Sequence, residues 1–418
     1  MKLKESFNNE LFKASFILLI LMNVSNVLNY VFHFVMGRML GPVDYGILAV
    51  LTSIIYIFSV PTTAIQTLVA KHTTRLGVNK EYGKIKGLFK IMIIEASLLA
   101  ACLFIIFLVL SLFFAESLKI SMGLLILTGI YLFGAFISPI GTGILQGSKK
   151  FSVWGWNSIL NSVIKIVLAI VLVLLGFRVY GPVIGFILGT VLSFLFILPF
   201  IKEILQSKEI KERIPIISRD NIALLTSILI ITLMYSLDII FAKIFFSAEI
   251  AGKYSVASMI GKMIFFGTSS ISNAMFPISS EKFFKKAKEK SGKVIKKTFF
   301  VVSLLCFIAV IALFLFPKLI IGILFGNAYT DIYSIMIYLG VAFSFLSLTN
   351  TFILYKLSVE QFRIRHAGIL IIFLALQVLA FVMFRSSLQS FSIAFMISTI
   401  ITFLASILLI RKRKETQE

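Results

Sequence analysis

Acidic residues are few in this sequence, 18 Asp and Glu against 40 Lys and Arg, and charge of both signs together reaches only 14% of 418 residues. With 59% of the chain apolar and a mean hydropathy of +1.04, there is too little polar surface to coat a soluble globule. Histidine is nearly absent: His33, His72 and His366 are scattered, no pair of carboxylates occurs, and no connection between apolar runs is long enough to hold a catalytic domain. A membrane glycan polymerase or glycosyltransferase would need positioned acids, bases or metal ligands, so this scarcity argues against an enzyme and no cofactor is expected. The two cysteines, Cys102 and Cys306, sit inside apolar runs and say nothing about a redox compartment. No A-x-A-like site follows the first run, which is longer than a signal sequence core and is expected to remain as a span.

What the chain has instead is long apolar runs. Stretches of about 20 residues suffice to cross the hydrocarbon as helices. They fall near 14–37, 46–70, 88–114, 120–145, 153–175 and 180–201, and again near 221–246, 253–278, 299–325, 332–355, 365–384 and 389–410. The runs are continuously apolar, without the short alternating strands of a β-barrel. An all-α polytopic membrane protein of about twelve transmembrane helices is therefore expected. Lys and Arg are distributed unevenly: 31 of the 40 lie at the amino end, in the connections after even-numbered spans and at the carboxyl end, and seven lie in the opposite connections. The asymmetry places both termini in the cytoplasm of a multi-pass protein of the inner or plasma membrane. The net charge of +22 is topogenic, facing anionic headgroups, and implies membrane lipids and not nucleic acid as its partner.

The polar stretch KEILQSKEIKERIPIISRD at 202–220 separates six spans from six. Each half opens on a similar patch. GRMLGPVDYG at 37–46 is echoed by AKIFFSAEIAGKY at 242–254, with Lys243 for Arg38, Glu249 near Asp44 and Gly252 for Gly46. Further on, GKIKGLFK at 83–90 is answered by GKVIKKTF at 292–299. Six spans per half make the repeat parallel, with a pseudo-twofold axis along the membrane normal and two bundles facing a central cleft. The expected divisions are a bundle at 1–205, a cytoplasmic linker at 206–219, a second bundle at 220–410 and a basic tail at 411–418.

Polar side chains recur on single faces of certain spans. The first span carries Asn23, Asn26, Tyr30 and His33, and the second Thr52, Tyr56, Ser59, Thr63 and Gln66. The eighth carries Ser255, Ser258, Lys262, Ser269 and Asn273, the seventh Tyr235 and Asp238, and the fifth Asn157, Asn161 and Lys165. Hydrogen bonding between helices explains any one stripe as well as a cavity does. Their concentration on the opening spans of each half favours a shared watery lining, with Asn26, Tyr30, Tyr56, Gln66, Asn161 and Ser258 as candidates. Lys165 and Lys262 lie too near mid-span to snorkel, whereas Arg38, Lys243 and Lys253 sit near helix ends, where snorkelling is ordinary. Asp238 is the one carboxylate well inside a span and a candidate for ion pairing with Lys262 or for coupling. Apart from that pairing the buried field is positive, which attracts an anion.

The patch GRMLGPVDYG, ILQGSKKF at 144–151, LDIIFAKIFFSAEIAGKYSVASMIGK at 237–262 and NAMFPISSEK at 273–282 resemble the polysaccharide-biosynthesis, or oligosaccharide-flippase, branch of the multidrug/oligosaccharidyl-lipid/polysaccharide exporter superfamily. The resemblance spans essentially the whole chain. It implies a MATE-like pair of six-helix bundles that flips a polyprenyl-(pyro)phosphate-linked oligosaccharide from the cytoplasmic to the outer leaflet by alternating access. It also implies a cationic cavity, matched here by Arg38, Lys165 and Lys262, with glycan polymerase or ligase proteins as partners. A cation-coupled multidrug exporter of the same fold is the alternative, weakened by the shortage of membrane carboxylates beyond Asp238.

Overall fold

The computed structural model describes residues 2–211, 219–284, 288–359, 362 and 364–409. Half of the expected linker, 212–218, and the basic tail at 411–418 lie outside the described residues. Within them the chain is helical and contains no strand, as follows where each backbone amide must find its partner inside its own segment. Ten helices among the described residues are long and apolar enough to cross a membrane. The protein is a multi-pass membrane protein.

The chain forms two compact units, Met1–Ser218 and Arg219–Glu418. Unit 1 contains α1 (Lys2–Phe58), α2 (Val60–Val78), α3 (Tyr82–Leu118), α4 (Met122–Gly147), α5 (Phe151–Leu174) and α6 (Tyr180–Ile197), which runs through a 3-10 turn into the short α7 (Lys202–Gln206). Unit 2 contains α8 (Arg219–Phe245), α9 (Ala248–Phe284), α10 (Lys288–Leu315), α11 (Pro317–Leu324), a 3-10 segment Asn327–Ile335, α12 (Met336–Ser358), α13 (Ile364–Met383) and α14 (Leu388–Leu409).

The first two expected spans are not separated by a loop. They join inside α1 at one non-helical residue, Gly41, whose φ of 71° and ψ of 176° redirect the chain. Pro42 then opens the next helical stretch, where its missing N–H costs nothing. The break expected near 70 falls instead at Ser59, just before Pro61 enters the first turn of α2. Neither α2 nor α9 is among the ten strongly apolar helices. Their Ser, Thr, Asn, Gln and Lys content dilutes the apolar runs read from the sequence. The ninth run, expected at 299–325, is likewise two helices, α10 ending at Leu315 and α11 starting at Pro317.

Each unit has its own core. In unit 1, α2, α3 and α4 interlock through Ile65, Val69, Leu88, Met92, Phe136, Ile140 and Ile144, all sealed from solvent. Unit 2 is built on aromatic packing: Phe381 stacks on Phe391 with centroids 4.6 Å apart, and Phe343 meets Phe395 at 5.4 Å. Hydroxyl pairs bind α9 to α12, Thr268 to Ser347 at 2.5 Å and Ser272 to Thr351 at 2.6 Å. The opposite faces of α3 and α10 expose Leu98, Ile105, Phe113, Phe300 and Phe307, apolar surface suited to lipid.

Candidate functional site

In unit 1, α5 lies between α1 and α6 and carries the buried Lys165. Its approach to both neighbours follows from small residues. A Cβ on Gly185 of α6 would meet the Lys165 carbonyl oxygen at 3.0 Å, and one on Gly189 would meet that of Asn161 at 3.2 Å. On the other side Ser25 of α1 donates to the Ser158 carbonyl at 3.0 Å and pairs with the Ser162 hydroxyl at 2.9 Å.

These contacts hold the Lys165 ammonium in a cage of neutral groups. It donates to Asn29 Oδ1 and lies 4.8 Å from the Phe32 ring centroid and 5.1 Å from that of Phe186. Asn29 is oriented by its own bond to the Ser25 carbonyl, at 2.9 Å. No carboxylate among the described residues reaches Lys165 within ion-pair distance. An amide oxygen and two ring faces stabilise a cation without neutralising it. Close by, Asn161 donates to Ser193 at 3.1 Å, and the buried Asn157 Oδ1 has no hydrogen-bond partner among the described residues.

Unit 2 treats its mid-span lysine differently. Lys262 Nζ on α9 lies 3.6 Å from Asp238 Oδ1 on α8, and Ser258 and Tyr254 donate to Asp238 Oδ2 at 2.5 and 3.4 Å. Phe343 flanks the lysine at 6.0 Å. All of these side chains are buried. Asp238 Oδ2 thus accepts from two hydroxyls, Ser258 among them, while Oδ1 faces the Lys262 ammonium and has no hydrogen-bond partner among the described residues.

The remaining candidates divide into those bonded inside their unit and those facing outward. Gln66 donates to Gln146 at 3.1 Å, joining α2 to α4 as hydrogen-bonding glue. Thr52 and Ser59 return to the carbonyls of Leu48 and Ile55 at 2.8 and 2.7 Å. Tyr235 packs edge-on and tilted against Phe266 and Phe265. Tyr30 and Tyr56 are half-buried, and Asn26 and Arg38 are exposed. Neither Asn26 nor Tyr30 makes a side-chain hydrogen bond among the described residues. The two opening patches also diverge. Asp44 binds Arg178, at the α5–α6 connection, through two bonds of 2.7 and 2.8 Å, while Glu249 pairs with Lys253 at 2.8 Å. Arg38 is exposed where its sequence counterpart Lys243 is buried.

Sequence reasoning did not identify Asn29, Phe32 or Phe186 as partners of Lys165, or Tyr254 as a partner of Asp238. Tyr45, whose hydroxyl lies 3.4 Å from His33 Nδ1 across the Gly41 bend, was also not singled out. The signal for Asn29 was the same i, i+3/i+4 spacing that marked Asn26, since Ser25, Asn29 and Phe32 share a face of α1. Among the described residues no group of three or more His, Cys, Asp or Glu side chains could hold a metal ion.

Solved structures share this fold. An inward-facing multidrug-resistance MATE family transporter of the MOP superfamily aligns with a TM-score of 0.70 at 16% identity, over 92% of this chain and 94% of that one. An outward-facing form of such a transporter aligns with a TM-score of 0.64 at 16% identity, over 96% and 94%. A MOP superfamily transporter from Pyrococcus furiosus, described as having a binding pocket of reverse polarity that suggests a different function, aligns with a TM-score of 0.61 at 16% identity, over 96% and 95%. At this identity the likeness shows the MATE fold alone. A search of curated proteins found no significant match. The family model described as polysaccharide biosynthesis protein matches residues 35–334, well over half of the sequence, and the chain therefore belongs to that family.

Proposed function

We propose that the protein is a membrane transporter that flips a polyprenyl-(pyro)phosphate-linked oligosaccharide from the cytoplasmic to the outer leaflet. The observation that carries this reading is the Lys165 ammonium, buried mid-span among neutral groups with no carboxylate beside it among the described residues. A buried cation without a counter-ion gains most from an arriving anion, and a diphosphate supplies one through charge-assisted hydrogen bonds. The membership in a polysaccharide biosynthesis family supports a glycan on that diphosphate. Arg38, exposed on the same helix as Asn29, is a second cation for the same headgroup, and the outward Asn26 and Tyr30 are donors for sugar hydroxyls.

The multidrug reading requires a carboxylate open to a cationic drug or coupling ion. Asp238 instead holds Lys262, and the buried Asp44 holds Arg178. The deciding experiment is translocation of a defined lipid-linked oligosaccharide by the purified protein in proteoliposomes, with Lys165→Ala as the control. Translocation that disappears in the variant supports the reading. Full activity in a stably inserted Lys165→Ala protein, or efflux of a cationic dye that depends on Asp238, overturns it.

A further inference from the structure

Where α10 gives way to α11 in unit 2, a groove of about 560 Å3 opens. Its walls are apolar and include Phe314, Phe316, Leu319 and Ile337, and the first three of these are exposed. Three polar side chains interrupt them: Lys318, Tyr333 and Ser334. The Lys318 ammonium is positioned 4.4 Å from the Tyr333 ring centroid. Among the described residues it pairs with no carboxylate, and neither Tyr333 nor Ser334 uses its hydroxyl in a side-chain hydrogen bond. The nearest acid along the chain, Asp331, is occupied by Lys253 at 2.7 Å.

This groove lies at the end of α10 remote from that helix's Lys-rich beginning, beside a short helix that exposes Leu319 and Ile323. A short helix with one buried and one exposed apolar side, at the end of a spanning helix, is placed where headgroups meet acyl chains. An apolar groove at that depth faces lipid. Its single cation matches a headgroup with one negative charge, and two hydroxyls beside it are donors for phosphate oxygens.

We propose that the Lys318–Tyr333–Ser334 groove is a binding site for one bilayer phospholipid carrying a single net negative charge. The phosphate sits at Lys318 with the tail along Phe314, Phe316, Leu319 and Ile337. One cation suits a phosphodiester and not a polyprenyl diphosphate, so the site is separate from the transported substrate and does not depend on the flippase reading.

The test uses the full chain in nanodiscs with a photoactivatable phosphatidylglycerol, its crosslinks mapped by peptide mass spectrometry. Crosslinks should appear within 313–319 and 333–337 and be displaced by unlabelled phosphatidylglycerol better than by phosphatidylcholine. Lys318→Gln should lower the yield at these segments about fivefold, the effect of about 1 kcal/mol per lysine at an anionic surface, and leave other crosslinks unchanged. Ile337→Trp, which fills the groove and keeps the charge, should lower it as well. Unchanged yield in both variants, equal displacement by phosphatidylcholine, or stronger displacement by undecaprenyl phosphate would overturn the assignment.

Discussion

Lys262 reaches Asp238 across the α8–α9 interface at 3.6 Å, with exposures of 1% and 0%, and the carboxylate takes two further hydroxyl donors from α9. Two charges withdrawn from water are each costly, and their attraction roughly offsets that cost. Removing one partner leaves the other charged and sealed in. Asp238→Leu and Lys262→Met should each destabilise unit 2 by roughly 3–5 kcal/mol, whereas the two together should recover most of the loss. Thermal unfolding of the four proteins in one detergent closes this cycle. Single losses that simply add in the double variant would mean the pair is not coupled.

Lys165 allows the opposite manipulation, because its hydrogen-bond acceptor is the neutral Asn29. Asn29→Asp places a carboxylate in the same position and neutralises the cation without emptying the space. The variant should insert and unfold like the parent. Its translocation of a lipid-linked oligosaccharide should fall about tenfold or more, since a hydrogen bond to a charged group contributes roughly 1.5–3 kcal/mol. Asn29→Ser, which keeps a neutral acceptor, should lose much less. Equal transport by the Asp and Ser variants would show that the charge of Lys165 is not what the substrate meets.

Hydropathy and charge placement made the helical, membrane-embedded character of the chain legible, because lipid leaves the backbone so few alternatives. The ionisable residues inside spans stood out for the same reason: Lys165, Lys262 and Asp238 are rare enough there to be noticed. Their surroundings were less visible. Phe32 and Phe186 flank Lys165, but a phenylalanine in an apolar run carries no mark that its ring faces a cation. Arg178 binds Asp44 from 134 residues away, a separation that no local pattern reports. Gln66 and Asn161 were legible as polar positions on single helix faces, but their amide partners Gln146 and Ser193 were not, because helical spacing gives the face and not its neighbour. The bend at Gly41 was read as a turn between spans, since a single glycine at positive φ leaves the same Gly-Pro signature as a loop.

That bend supplies a stability test free of packing effects. A Cβ added at Gly41 meets nothing within 4 Å, so the cost of Gly41→Ala arises from the φ of 71° alone. The variant should lose about 1–3 kcal/mol, and Gly41→Asn no less, because φ of 71° with ψ of 176° is a region that essentially only glycine occupies and not the left-handed helical one an amide side chain tolerates. Unfolding temperatures of the two variants check the order. A neutral Gly41→Ala would indicate that the two arms of α1 can straighten without loss.

The start of the inter-unit connection is tied to α3, and that tie should respond to acid. Ile210 N–H donates to the Gly83 carbonyl at 3.0 Å, Lys86 Nζ to the Ser207 carbonyl at 2.9 Å, and Lys90 to the Glu209 carboxylate. The hydrogen bond from Lys90 holds the Glu209 carboxyl below its usual range against a smaller opposing effect of burial, and the charges of Lys90, Lys86 and Lys211 add to it. A carboxyl depressed in this way contributes at every pH above its ordinary value of about 4.3. Its contribution fades only as the pH falls through the lower, bound value. Protection of the Ile210 amide from hydrogen exchange, corrected for its intrinsic rate, should therefore stay level from pH 8 to about pH 5 and decline below the ordinary carboxylate range. Glu209→Gln should lower protection at neutral pH and flatten the profile. Gly83→Ala should abolish it, since the new Cβ would lie 2.2 Å from the Lys208 carbonyl oxygen and displace the segment. Protection that falls already between pH 8 and pH 6 would assign the response to a group other than Glu209, and protection that survives Glu209→Gln intact would assign the tie to the backbone bond and Lys86 alone.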